Sequence, residues 1–252
     1  MSWTARRKLI ILLIVIIAIG VFVGLPTFFA FYKAPTCFDG IQNQGEEGID
    51  CGGPCTQLCQ AGFAMPQELW ATSSQVVAGI YNLLAYATNP NLGVAAPAIS
   101  YDFKIYDGSG ILIGERSGQT PVSSGTHFAV FEPTISTGMR VPAKTFFEFT
   151  SAPEWQNAAT SSNLSVTSSN LTLASTTSRL DVSVYNSSIS LKNNVGIIAI
   201  LYDTSGNVIA FSKSVIPTIA SLDSAQVSFT WPYSISTTVA RKEFLFQDNS
   251  SF

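Results

Sequence analysis

The 24 residues from 9 to 32, "LIILLIVIIAIGVFVGLPTFFAFY", carry no charged side chain. No other stretch limits this chain as strongly. At about 1.5 Å rise per residue, a helix of that length reaches about 36 Å, more than the roughly 30 Å hydrocarbon core of a bilayer. Arg6, Arg7 and Lys8 precede it, and Phe28, Phe29, Phe31 and Tyr32 stand at its far end, where aromatic rings favour the interface with water. Pro26 lies late in the run and is expected to kink or tilt its last turns. A cleaved signal peptide would have a shorter apolar core, of about 7–15 residues, and a small-residue cleavage site. "FFAFYKAPTC" is a poor site, and the residues before Cys37 do not suit a lipoprotein signal. The sequence therefore predicts a transmembrane signal anchor over 9–32. By the positive-inside rule, residues 1–8 form a cytoplasmic basic tail and residues 33–252 are extracytoplasmic on a single-pass membrane protein.

The rest of the chain is poor in charge. Charged residues are 12% of the whole, about half the globular average. Ser, Thr, Asn and β-branched or aromatic residues dominate instead, which favours strands over surface helices. The part after the apolar run holds 10 Lys/Arg and all 16 Asp/Glu, a net of 10 − 16 = −6. That balance argues against nucleic-acid binding, which needs a basic face.

One pattern recurs after about 97 residues. "ISYDFKIYDGSGILIGE" begins at Ile99 and "VGIIAILYDTSGNVIAFS" at Val195. Tyr106, Asp107 and Gly110 match Tyr202, Asp203 and Gly206, and upstream Asn89 matches Asn186. "VPAKTFFEF" (141–149) and "VARKEFLF" (239–246) align further on. Each copy reads as short strands with "DGSG" or "DTSGN" turns, and "HFAVFEP" and "QVSFTWP" are strands expected to end at their prolines. Two copies of one domain explain this most simply. Turn signals every 8–12 residues point to β-sandwiches. The fold expected is mainly β: a transmembrane helix, a small disulfide-rich module at 33–62, and two tandem immunoglobulin-like sandwiches at 63–152 and 153–252. The Ser/Thr-rich stretch 157–178 reads either as a linker or, because "LSV" and "LTL" alternate, as a first strand or edge hairpin of the second sandwich. Asn163, Asn170, Asn186 and Asn249 begin N-x-S/T sequons, which read foremost as ordinary turn residues.

The Asn, the Leu/Ile-Tyr-Asp strand end and the Gly turn together resemble the FxLYD-type domain. They are also similar to the water-stress and late-embryogenesis-abundant group of immunoglobulin-like sandwiches. The resemblance implies extracytoplasmic β-sandwich modules with no shared active site.

Catalytic chemistry finds little purchase. The single histidine, His127, has no acid nearby in sequence before Glu132 and reads as structural rather than as part of a triad. Zinc-enzyme ligand sets need more histidines than the chain has. The acids show no pairing that marks a cleft. The remaining cluster is "CFDGIQNQGEEGIDCGGPC". Cys37, Cys51, Cys55 and Cys59 are an even count in a short Gly-rich stretch, and outside the membrane they read as two disulfides of open connectivity. Asp39, Asn43, Glu46 and Asp50 offer side-chain oxygens for calcium. The competing reading is Asx-type turns onto their own backbone. No other cofactor is expected. The stretch resembles a recurrent cysteine module of secreted and cell-surface proteins, with Cys37, Asp39, Gly40, Asn43, Glu46, Asp50, Cys51, Gly52, Gly53 and Cys55 filling its pattern. That likeness implies surface location rather than activity.

The function expected is non-enzymatic: a membrane-anchored structural, adhesive or envelope-assembly protein with a protein or glycan partner. A ligand- or lipid-binding receptor-type module is the alternative, and an envelope hydrolase stands third.

Overall fold

The computed structural model describes residues 3–32, 34–124, 127–158 and 163–247. Asn249 and residues 159–162 of the Ser/Thr-rich stretch lie outside them. The chain forms two compact units, Met1–Cys55 and Thr56–Phe252.

The first unit begins with an apolar helix. α1 spans Trp3–Ile19 and α2 spans Leu25–Phe31, joined by a π-helical turn at Gly20–Gly24. Pro26 explains the joint. Its nitrogen carries no proton, and its ring would crowd the carbonyl four residues back. The helix widens instead: the Leu25 amide bonds the Gly20 carbonyl, five residues back. The Thr27 hydroxyl donates to the Val23 carbonyl at 2.7 Å. The proline expected to kink the helix is thus absorbed by a π turn, and 6–29 remains one helix long and apolar enough to cross a membrane. Beyond it, residues 34–55 form turns closed by a Cys37–Cys55 disulfide.

The second unit is almost wholly antiparallel β. Its strands are β1 (Gln67–Val77), β2 (Ile80–Thr88), β3 (Val94–Asp107), β4 (Leu112–Val122), β5 (His127–Ser136), β6 (Pro142–Phe149), β7 (Gln156–Asn157), β8 (Leu164–Leu173), β9 (Ser178–Asn186), β10 (Lys192–Tyr202), β11 (Val208–Ile219), β12 (Ser224–Trp231) and β13 (Arg241–Gln247). Sheets β1-β2-β5 and β4-β3-β6, with β7 on β3, enclose one core around Leu83, Ala85, Phe103, Ile105, Val130 and Trp155. Sheets β8-β9-β12 and β11-β10-β13 enclose a second around Leu180, Val182, Ile197, Leu201 and Phe229. The strand order of the second pair of sheets repeats that of the first. The Ser/Thr-rich stretch supplies edge strand β8, the first strand of the second sandwich, with Leu164, Val166 and Leu171 reaching the core and Leu173 exposed.

Registers match as well as order. Lys104 faces Glu115 and Phe146, and Ile200 faces Phe211 and Glu243. Leu84 faces Phe131, and Asp181 faces Ser228. The turns match too. Asp107 Oδ1 accepts from the Ser109 and Ile111 amides, and Asp203 Oδ1 from the Ser205 and Asn207 amides. Gly110 and Gly206 close these turns at φ +77° and +83°, where a Cβ is disfavoured. Hydrogen bonds from their own turns pull both Asp carboxyls below the usual range, backbone amides leading at Asp107 and the Asn207 side chain at Asp203.

Asn89 and Asn186 do the same work in their sandwiches. Asn186 is fully buried, donates from Nδ2 to the Ser190 and Ala220 carbonyls at 2.8 and 3.0 Å, and accepts the Ser188 amide at 3.0 Å. Asn89 Nδ2 donates to the Val94 and Ser123 carbonyls. In the folded chain the Asn186 amide is committed, so that sequon is closed to modification. Asn186→Ala strands buried carbonyls and is expected to cost about 2–3 kcal/mol, read as a lower urea midpoint with unchanged slope. A change within about 0.5 kcal/mol would contradict this role.

Some edges lie elsewhere than the sequence placed them. Residues 153–157, assigned by sequence to the second sandwich, serve the first: Trp155 is 1% exposed in its core, and β7 pairs with Val94 and Ala95 of β3. Leu58 packs on the same core, and its amide bonds the Trp155 carbonyl. β5 does not end at Pro133. It shifts register there and runs on to Ser136, with Thr134 at φ +56°.

The two sandwiches are joined by a third apolar layer. Leu84, Tyr86 and Ala129 from the outer face of β2 and β5 pack with Ile198, Ile200, Tyr202 and Phe211 from the outer face of β10 and β11. Leu84, Ile198 and Ile200 are fully buried there.

Candidate functional sites

The oxygen donors expected to hold calcium converge, but on backbone amides. Asp39 Oδ1 accepts the Ile41 amide at 2.9 Å, and Oδ2 accepts the Thr36 amide and the Asn43 Nδ2 group at 3.1 and 3.0 Å. Asp50 grips the Asp39 and Gly40 amides. Glu46, 6% exposed, accepts the Asn43 and Asp50 amides through Oε2. Asn43 Oδ1 is buried without a partner. A calcium ion wants six to eight oxygens, and most of those here already hold the loop. Millimolar Ca²⁺ is therefore expected to leave the melting temperature and amide spectrum of this unit unchanged. A rise of several degrees would show that the carboxylates exchange amides for the ion.

Cys37, Glu46 and Cys55 bring possible ligand atoms within 4.8 Å of one another. Both sulfurs belong to one disulfide, so they offer no thiolate. Glu46 Oε1 lies 3.1 Å from Cys55 Sγ, which has no proton to donate. Cys51 and Cys59 are also disulfide-bonded, and no cysteine is free. Gly53 is required by close approach as well as by φ +58°: a Cβ would come within 2.2 Å of the Gly45 carbonyl oxygen.

The seam between the sandwiches gathers the strongest electrostatics. The Tyr86 and Tyr202 hydroxyls donate to the two oxygens of Glu243 at 2.6 and 2.8 Å, and Arg241 adds a third donor at 2.8 Å while stacking over the Tyr202 ring. Burial would raise the Glu243 pKa, but these donors outweigh it and hold the carboxyl below its usual range. Burial and then Glu243 push both phenols up, Tyr202 to about 12. His127, the histidine read as structural, stacks on Tyr86 with ring centres 5.3 Å apart. Trp70 stacks on the same tyrosine at 5.0 Å. This is a latch: Tyr86, Tyr202 and Arg241 all donate to the one carboxylate of Glu243. Sequence reasoning missed it because its members lie up to 157 residues apart.

Beside the seam lies a cleft of about 300 Å³ lined by Tyr101, Gln119, Glu132, Asn194, Lys213 and Gln247, among others. Tyr101 and Arg116 occupy the two oxygens of Glu132. Desolvation lowers the Lys213 pKa, with Glu132 working the other way. A second hollow, about 520 Å³, lies on the outer face of β3 and β6. Tyr106 and Phe146 meet edge to face there at 5.5 Å, between Lys104, Lys144 and Glu148.

Four of the acids share one arrangement. Asp181 pairs with Arg179 and Ser228, Glu148 with Lys104, Asp107 with Arg140 and Glu132 with Arg116. They are distributed over strands and turns, each with its own local partner.

No family model and no curated protein matches the sequence. Among solved structures, the chain is similar to a β-glucuronidase from glycoside hydrolase family 2, at TM-score 0.25 and 11% identity, over 63% of this chain and 20% of that one. It is also similar to the transglutaminase of red sea bream, at TM-score 0.23 and 10% identity, over 73% of this chain and 31% of that one. The chain thus spans less than a third of either protein's length, and likeness at this level carries no argument about activity.

Proposed function

We propose that this is a single-pass membrane protein whose residues 33–252 face outward and act, without catalysis, as a structural or adhesive element of the cell envelope. The helix at 6–29 is the anchor, residues 34–55 form the disulfide-closed base, and two tandem immunoglobulin-like sandwiches form the working part. The seam is the observation that carries this reading. It buries apolar outer faces of both sandwiches against one another, which suits a structural or spacing element. The faces left free are largely polar, with Asp181, Gln226 and Ser228 on one side and Asp102, Lys104, Glu115 and Glu148 around the Tyr106–Phe146 pair on the other. Such faces suit reversible contact with a protein or glycan. The ion pairs at Asp107, Glu132, Glu148 and Asp181, spread over separate strands and turns, support a non-catalytic role.

The test is topological and functional. A cysteine placed at the exposed Thr204 is expected to react with a membrane-impermeant maleimide on intact cells, and the protein to stay in the membrane pellet at pH 11. Cells carrying the full chain are expected to aggregate or attach more than cells carrying a version cut after residue 55. Labelling only after permeabilisation, or a shortened soluble product, would overturn the anchored reading. Equal attachment would overturn the adhesive one.

A ligand-binding module is the second reading, and the Tyr106/Phe146 hollow favours it. Its aromatic pair set among Lys and Glu suits a ligand with one apolar face and a polar rim, such as a sugar ring.

A further inference from the structure

The disulfide-closed base exposes apolar surface that its own fold does not use. Phe38, Ile41 and Ile49 stand 81%, 61% and 63% exposed. They flank one junction, because the Asp50 carboxylate binds the Asp39 and Gly40 amides and ties residues 38–41 to 49–50. The carboxylates nearby are engaged: Asp39, Glu46 and Asp50 accept backbone amides, Glu46 is buried, Asp39 and Asp50 are half-exposed, and Glu47 is exposed. Phe38 also follows Tyr32, the end of the apolar helix, by six peptide steps, which extend to about 20 Å at most. The headgroup layer on each side of a bilayer is about 5–8 Å deep, so a helix that spans holds these side chains within reach of lipid.

We propose that Phe38, Ile41 and Ile49 insert into the outer interfacial layer of the same bilayer and seat the base on the membrane. The occupant is lipid because the tether delivers the patch there. The patch has no positive charge among its three members, so the lipid it fits is zwitterionic rather than acidic. The inference rests on the anchored reading above. It makes the base a foot that sets how the chain leaves the membrane, rather than a free hinge.

The experiment uses the full chain in phosphatidylcholine vesicles. Phe38→Trp adds one indole to the background of the four native tryptophans, and brominated lipids report its depth. Bromines near the glycerol end of the acyl chains are expected to quench about half of the added emission. Ile41→Ser with Ile49→Ser is expected to reduce that quenching about twofold or more, with both disulfides verified by mass without reductant. Release of the protein at pH 11 overturns the span and the foot together. Retention at pH 11 without added quenching overturns the foot alone, and is also what a soluble protein partner for the patch would give.

Discussion

Leu84→Asp is expected to part the two sandwiches while leaving each folded. Leu84 is fully buried in the seam against Ile198, Ile200 and their neighbours. A carboxylate there loses the packing and is buried in an apolar layer, at a cost of about 3–5 kcal/mol. The unfolding of residues 56–252 should change from one transition to two, with a larger radius of gyration in solution scattering. The reason to expect survival of the sandwich itself is internal. The matching place in the second sandwich holds Asp181, on a strand of the same register, where Arg179 and Ser228 satisfy it. Aspartate at that site is compatible with the strand, and what it opposes is the mating of faces. A single transition at unchanged radius would show that the seam does not hold the unit together. The latch should respond in the same sense. Because Glu243 titrates below its usual range, it stabilises the fold fully above that range, and the stabilisation fades as acid protonates it through the depressed folded value.

Cys37→Ser with Cys55→Ser is expected to unfold the base. The bond closes a loop across a sequence separation of 18, worth about 3 kcal/mol in lost unfolded-state entropy. The stretch has almost no core to replace it: only Glu46, Gly52 and Cys55 are buried between 34 and 55. A protease cutting at Phe38 or Glu47 should cleave the double variant far faster than the parent, while the main melting transition of 56–252 stays in place. Equal cleavage rates would mean that the carboxylate–amide bonds and the disulfide at Cys51 suffice without it.

Much of the architecture was legible residue by residue. The apolar helix followed from 24 uncharged residues. The turns at Asp107–Gly110 and Asp203–Gly206 followed from residue chemistry that acts within four positions. The strand runs 99–107 and 195–202 even carried the difference between their surroundings. "ISYDFKIYD" alternates, as a strand with one wet face does, and "VGIIAILYD" is continuously apolar, as a strand buried on both faces is. The adjacent Leu83 and Leu84 carry the same signal, one facing the core and the other the seam. Edge strand β1 was less visible, since its Ser/Thr-rich residues are largely half-exposed and leave no strong alternation.

At the carboxylate cluster, sequence left calcium and backbone turns as rivals. Residue type could not separate them, because Asp and Glu serve either use with the same oxygens. The hydrogen bonds of the folded loop show where those oxygens point.

Taken alone, the sequence determined the local things: an apolar helix, an even set of cysteines for two disulfides, strands with their turns, and a pattern that recurs every 97 residues or so. Period and turn chemistry need only near neighbours, so they survive in one dimension. Only the tertiary structure decided that Cys37 pairs with Cys55, that Trp155 belongs to the first core, and that Leu84 lies against Ile198 and Ile200. Each of these depends on which surfaces meet in three dimensions, and such matching, over separations from 18 residues to more than a hundred, leaves no mark at any single position.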